Sequence, residues 1–132
     1  MLPKQLPWYD TSNPALDRLP LEAMRSLQLQ RLQAMVEYVY HSSPFYRQKF
    51  DAAGVRPEEI RSLDDLRRLP FTTQAELQAD QEAHPPFGSY VCSHLSTWYR
   101  AFATSGTTGR PLKRLLSHRD WELCGALVRR RS

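Results

Sequence analysis

The stretch Thr104-Ser105-Gly106-Thr107-Thr108-Gly109-Arg110-Pro111 decides how the chain is read. Four hydroxyls and two glycines fall within Thr104 to Gly109. Glycine lets backbone N–H groups turn toward an anion with no side chain in the way. The hydroxyls donate further hydrogen bonds. Arg110 and Lys113 add positive charge suited to phosphate oxygens. The segment is not a Walker A loop, which needs four residues between its glycines and then Gly-Lys-Ser/Thr. Gly106 and Gly109 have only Thr107 and Thr108 between them. On physics alone two readings stand side by side: a phosphate-binding loop, and a β-hairpin turn rich in small residues.

Outward from the loop, Thr97 to Ala103 is rich in aromatics and reads as a strand, buried beside the loop with its Trp98 and Tyr99. Leu112 to Leu116 reads as a second strand. Ser117 then caps a last helix carrying Trp121, Cys124, Leu127 and Val128, with His118 in its first turn. Upstream, Pro85-Pro86-Phe87-Gly88 breaks helix and marks a loop over 81–95.

The first half reads as helical. Leu21, Met24, Leu32, Met35, Val36 and Val39 fall within about a 120° arc at helical spacing, which predicts a helix over 20–41 with Pro20 in its first turn. Ser43-Pro44 is a cap followed by proline at the first helical position, and Gly54 is a C-terminal stop. Phe45, Tyr46 and Phe50 give that short helix an aromatic face, expected to be core. Pro57-Glu58-Glu59 starts another turn. Ser62 with Asp65 and Thr73 with Glu76 predict helices over 63–68 and 74–80, and only the second pair is a true capping box. Leu63, Leu66, Leu69, Phe71 and Leu77 are the expected buried positions. The acidic pairs Glu58-Glu59 and Asp64-Asp65 are read as helix-start residues rather than as acid/base machinery.

The domain plan is therefore an extended arm over 1–19, a helical subdomain over 20–80, a loop over 81–95, and a strand–loop–strand–helix unit over 96–132. The expected fold class is α/β, α+β within this segment.

Composition narrows the function classes. The chain has 132 residues, 24% charged, with a mean hydropathy of −0.58. No apolar run approaches the roughly 20 residues that span a bilayer, and residues 1–9 lack the apolar stretch of a signal peptide. The expected setting is the cytoplasm. Cys92 and Cys124 match no paired metal spacing and are expected to be free, buried thiols. None of His41, His84, His94 and His118 has ligand spacing with a second histidine. The net charge of +4 is uneven: residues 110–132 hold seven positives against two negatives, and residues 1–109 hold 11 against 12. The excess belongs to the loop and the last helix, with no general nucleic-acid surface.

Phe102 to Pro111 resembles the phosphate-loop signature of AMP-forming adenylating enzymes. Tyr38 to Phe50, Ala53-Gly54-Val55, Ile60 to Leu63 and Leu69-Pro70-Phe71-Thr72-Thr73 resemble the start of phenylacetate-CoA ligases. The resemblance runs from about Trp8 to the last helix. It implies that Ser105, Gly106, Thr107, Thr108 and Gly109 hold the β- and γ-phosphates of ATP, with Thr104 supporting the turn and Arg110 nearby. Many superfamily members carry lysine directly after the proline; here that place is Leu112, so Arg110 is favoured over Lys113 as the phosphate neighbour.

The resemblance further implies ATP, Mg²⁺ and CoA as cofactors, an aryl or arylacetic acid as substrate, and an acyl-adenylate on the way to the thioester. It places the adenine and substrate motifs, the Mg²⁺-binding acid, the ribose aspartate and the catalytic lysine after this loop. The expectation is an N-terminal segment, inactive by itself and a possible homo-oligomer when intact. The alternative is a non-catalytic helical interaction module, or a truncated remnant with at most phosphate binding.

Overall fold

The computed structural model describes residues 14–104 and 111–131. Helix α1 spans Leu21–Ser42, α2 Pro44–Ala52 and α3 Gln74–Ala83; strands β1 (Trp98–Ala103) and β2 (Lys113–Ser117) precede α4 (His118–Arg131). Short 3-10 turns occupy Pro14–Arg18, Pro57–Glu59, Leu63–Arg68 and Leu95–Thr97. The class is α+β: a helical half, then an antiparallel hairpin and a helix.

Local chemistry explains most boundaries. Ser43 is extended, its hydroxyl accepts the Tyr46 N–H at 3.3 Å, and Pro44 occupies the first helical position of α2. Gly54 takes φ 66, a left-handed conformation that lets the chain leave α2. Thr73 and Glu76 form a reciprocal box: the hydroxyl accepts the Glu76 N–H at 3.2 Å, and the carboxylate accepts the Thr73 N–H at 2.7 Å. Ser62 and Asp65 form a box too, although only Thr73 with Glu76 is expected to, and here the Asp65 carboxylate does most of the capping. It accepts the Ser62 N–H at 2.8 Å and the Arg61 N–H at 3.0 Å, while the Asp65 N–H goes to the Ser62 carbonyl. Glu59 likewise accepts the Arg56 N–H at 3.1 Å and pairs with Arg68 at 2.9 Å, so these acids build turns.

The core lies where α1 and α2 meet the 3-10 turns. Val36, Tyr40, Phe50, Val55 and Ile60 are buried together, with Leu32, Val39, Tyr46 and Leu69 packed against them. The Tyr40 and Phe50 rings stack at 6.4 Å. The Tyr40 hydroxyl donates to Asp51 at 2.8 Å, and Arg56 reaches the same carboxylate at 2.8 Å. A phenol with a satisfied hydroxyl can enter the core at little cost. The Gln33 amide ties α1 to the Ile60 carbonyl at 2.8 Å.

Several expectations are corrected. The part of the expected extended arm that is described, Pro14–Arg18, is a 3-10 turn. Pro20 is the cap of α1 rather than its first helical residue. The apolar stripe of α1 is used unevenly: Val36 is buried, but Leu21 and Met35 are exposed among the described residues. Tyr40, off the stripe, joins the core instead. Leu66 and Phe71 are exposed, Phe71 at 95%. Phe71 sits on the extended link into α3, at the rim of a groove of ≈ 470 Å³ shared with Tyr46, Phe50, Leu69 and Pro70. Helix α3 continues past 80 to Ala83 and ends at His84, just before the cis Pro85–Pro86 peptide. Strand β1 is exposed along its length apart from half-buried Trp98, and among the described residues its sheet has two strands. Cys124 is exposed and Cys92 half-buried; both are free. No helix among the described residues is long and apolar enough to cross a membrane.

Candidate functional site

The expected phosphate loop joins β1 to β2. The strands pair antiparallel, Ala103 opposite Lys113, Phe102 opposite Arg114 and Ala101 opposite Leu115. The segment is thus a hairpin connection, as one of the two sequence readings held. The strand pairing is compatible with either reading of the loop. Ser105, Gly106, Thr107, Thr108, Gly109 and Arg110 lie outside the described residues.

Thr104 and Leu112 flank the loop and are described. The Thr104 N–H donates to the Leu112 carbonyl at 3.0 Å, and the Thr104 hydroxyl accepts the Leu112 N–H at 3.0 Å. Leu112 is only 1% exposed. The neck is therefore closed by two bonds and anchored by one buried side chain. Leu112 is thus an anchor of β2. Lys113 and Arg114 follow it on the surface.

Two residues outside the hairpin hold its second strand. The Tyr90 hydroxyl donates to the Lys113 carbonyl at 2.9 Å, and the Gln81 side-chain oxygen accepts the Lys113 N–H at 2.9 Å. Sequence reading missed both, since they are separated from Lys113 by 23 and 32 positions. Tyr90 is itself placed by the end of α3. One Asp80 carboxylate accepts the Ser89 N–H and hydroxyl, both at 2.6 Å, and the Tyr90 N–H at 3.2 Å. Gly88, at φ 86, lets the chain pass: a Cβ there would lie 2.5 Å from the Tyr90 ring and 2.8 Å from Asp80. Burial raises the Tyr90 hydroxyl above its ordinary pKa, so it stays a donor at neutral pH.

The same strap is tied to the helical half. Buried Ser43 donates to the Ser89 carbonyl at 3.1 Å, and Tyr38 donates to the Cys92 carbonyl at 3.3 Å. Beyond the loop, Ser117 and Asp120 form a capping box for α4, the hydroxyl accepting the Asp120 N–H at 3.2 Å. Arg100 lies 4.2 Å from the Trp121 ring centre and Tyr99 packs edge-on to His118, an exposed aromatic cluster on β1 and α4. Among the described residues no group of three or more His, Cys, Asp or Glu is placed to hold a metal ion.

No protein-family model matches the chain. Individual proteins do. The chain is 45% identical over 98 residues to a phenylacetate-coenzyme A ligase of Thermus thermophilus, 74% of this chain and 21% of that protein. It is 38% identical over 96 residues to the Escherichia coli protein of the same name, again 21% of its length. Its fold matches 2-hydroxyisobutyryl-CoA ligase, solved with 2-HIB-AMP and CoA in the thioesterification state, at a TM-score of 0.77 and 38% identity, covering 82% of this chain and 23% of that one. The postadenylation state of that ligase with R3-HIB-AMP matches at 0.76 and 33% identity over 92% of this chain. The chain spans about a fifth of the length of the curated relatives it matches. Over that fifth it is similar in sequence and fold to CoA ligases.

Proposed function

We propose that this chain is the N-terminal segment of an AMP-forming CoA ligase, in which Thr104 to Arg110 hold the phosphates of ATP. One observation carries the reading. A glycine- and hydroxyl-rich loop is closed at its neck by Thr104 and Leu112, within a fold homologous to CoA ligases. The neck fits the group: it is pinned by backbone and hydroxyl bonds, so the two points between which the loop runs are held together before phosphate binds. ATP supplies an α-phosphate that a carboxylate attacks with loss of pyrophosphate, after which the CoA thiol displaces AMP. In this segment the loop N–H groups and hydroxyls bind and orient the phosphate oxygens, and Arg110 offsets their charge. The Mg²⁺-binding acid and the catalytic lysine belong to the rest of such an enzyme. The substrate class we favour is an aryl or arylacetic acid, on the similarity to phenylacetate-CoA ligases.

The test has two arms. The 132-residue chain, given ATP, Mg²⁺, CoA and a panel of aryl and hydroxy acids, is expected to form no thioester; robust formation overturns the segment reading. The chain is then grafted in place of the matching segment of the Thermus thermophilus relative. There Gly106→Val and Gly109→Val are expected to cut ATP–pyrophosphate exchange by roughly 10²-fold or more. Unchanged exchange in both removes the loop from the reaction.

A second reading, a non-catalytic interaction module, draws on the exposed Phe71, Tyr99, Phe102, Trp121 and Val128. It predicts a monodisperse chain that unfolds cooperatively on its own and fails to support exchange in the graft.

A further inference from the structure

We infer that Gln81 and Tyr90 are positioning residues for the phosphate loop, acting through the backbone of Lys113. The inference rests on the phosphate reading of the loop and extends it to two residues far from it in sequence.

Lys113 is the first residue of β2 and pairs with Ala103. Its N–H and carbonyl are both taken by side chains from outside the sheet, Gln81 and Tyr90 respectively. The Tyr90 hydroxyl also lies 3.4 Å from the Gln81 oxygen, so the two side chains and one peptide backbone form a closed clasp. One residue before Lys113, Leu112 bonds to Thr104 across the loop neck. The clasp thus fixes the strand end from which the loop departs, while Thr104 fixes the other.

The clasp has its own foundation. Asp80 and Gln81 are consecutive residues in the last turns of α3. Asp80 gathers Ser89 and Tyr90, and Gln81 reaches Lys113. α3 is in turn tied to α2 by the Lys49–Glu76 ion pair. The end of α3 therefore sets the position of the hairpin mouth. Donors placed in advance bind an anion more tightly than donors that must be ordered on binding.

The test uses the 132-residue chain labelled with ¹⁵N-glycine. Five glycines give five amide signals, with Gly106 and Gly109 in the loop and Gly54, Gly88 and Gly125 elsewhere. Inorganic pyrophosphate is the probe. In the wild-type chain the Gly106 and Gly109 signals are expected to shift saturably. Tyr90→Phe, which deletes one oxygen, and Gln81→Met, which deletes the acceptor, are each expected to weaken that affinity by roughly three- to tenfold. Tyr40→Phe is the control, since it deletes a hydroxyl that donates to Asp51, off the hairpin and off the segment that carries Tyr90. It is expected to leave the affinity unchanged. Thermal unfolding of each variant is read alongside. Equal affinity in wild type, Tyr90→Phe and Gln81→Met overturns the clasp and leaves the phosphate reading in place. An equal loss in Tyr40→Phe also overturns it, because the effect would then be general loosening. Unshifted Gly106 and Gly109 in the wild-type chain overturn the phosphate reading and the clasp with it.

Discussion

The Thr104 hydroxyl accepts the N–H of Leu112 at 3.0 Å, closing the hairpin neck beside a residue that is 1% exposed. A buried N–H deprived of its acceptor costs about 1–3 kcal/mol. Thr104→Val keeps the shape and removes the acceptor, so it is expected to lower the unfolding free energy by about that amount. Thr104→Ser keeps the hydroxyl and is expected to stay within about 1 kcal/mol of wild type. Urea unfolding of the two variants checks this. Equal stability would show that the hydroxyl does not hold the neck.

Gly54 and Gly88 both have positive φ, yet their surroundings differ. At Gly54 a Cβ would meet nothing within 4 Å, so Gly54→Ala carries only the conformational cost, about 1–2 kcal/mol. At Gly88 a Cβ would also strike Tyr90 and Asp80 at 2.5 Å and 2.8 Å. Gly88→Ala is therefore expected to be the more destabilising by at least about 1 kcal/mol and to displace Tyr90. Melting temperatures give the ranking, and Tyr90 fluorescence or a tyrosine NMR signal reports the displacement. A Gly88→Ala protein as stable as Gly54→Ala would contradict the close approach.

Glu76 links α2 to α3 and carries an acid-sensitive bond. Its carboxyl is held at about 2, against an ordinary 4.5, first by the Lys49 ammonium and then by the Thr73 N–H and hydroxyl. A lowered folded-state pKa means stability that is full above pH 4.5 and is lost as pH falls toward about 2. Glu59 and Asp65, also lowered chiefly by backbone N–H groups, act in the same direction. Glu76→Gln is expected to be less stable than wild type at neutral pH, with the difference shrinking through that acid window. Denaturant midpoints across the pH range measure it, and a difference independent of pH would remove Glu76 from the acid response.

What was legible in the sequence is what neighbouring residues decide. Ser43-Pro44, Gly54, Thr73 with Glu76 and Ser117 each terminate a helix through contacts within a few positions, and the structure places all four as read. The strand–loop–strand–helix order was legible too, since the aromatic run before the loop and the Ser117 cap after it are local signals. Burial was less so. Leu66 and Phe71 look like core residues in composition, but which apolar side chain is covered depends on elements distant in the chain. Tyr40 was missed for the converse reason: its place in the core depends on Asp51 satisfying its hydroxyl. The clasp on Lys113 was illegible because Gln81 and Tyr90 carry no motif, only a distance that folding brings about.

The two cysteines offer a kinetic readout of the strap that carries Tyr90. Burial pushes the Cys92 thiol up to about 11, and its sulfur lies 3.6 Å from the Tyr90 carbonyl. At pH 8 a thiol of that pKa is roughly a thousandth thiolate, and the thiolate is the reactive form. Cys124 stands exposed on α4. A disulfide reagent at pH 8 is therefore expected to modify one thiol per chain rapidly and the second slowly, with Cys124→Ser abolishing the fast phase. Tyr38→Phe loosens the strap at Cys92 and is expected to speed the slow phase alone, because opening of the strap then limits access. Two equally fast thiols in the folded chain would contradict the packing of residues 89–93 against α1 and α2.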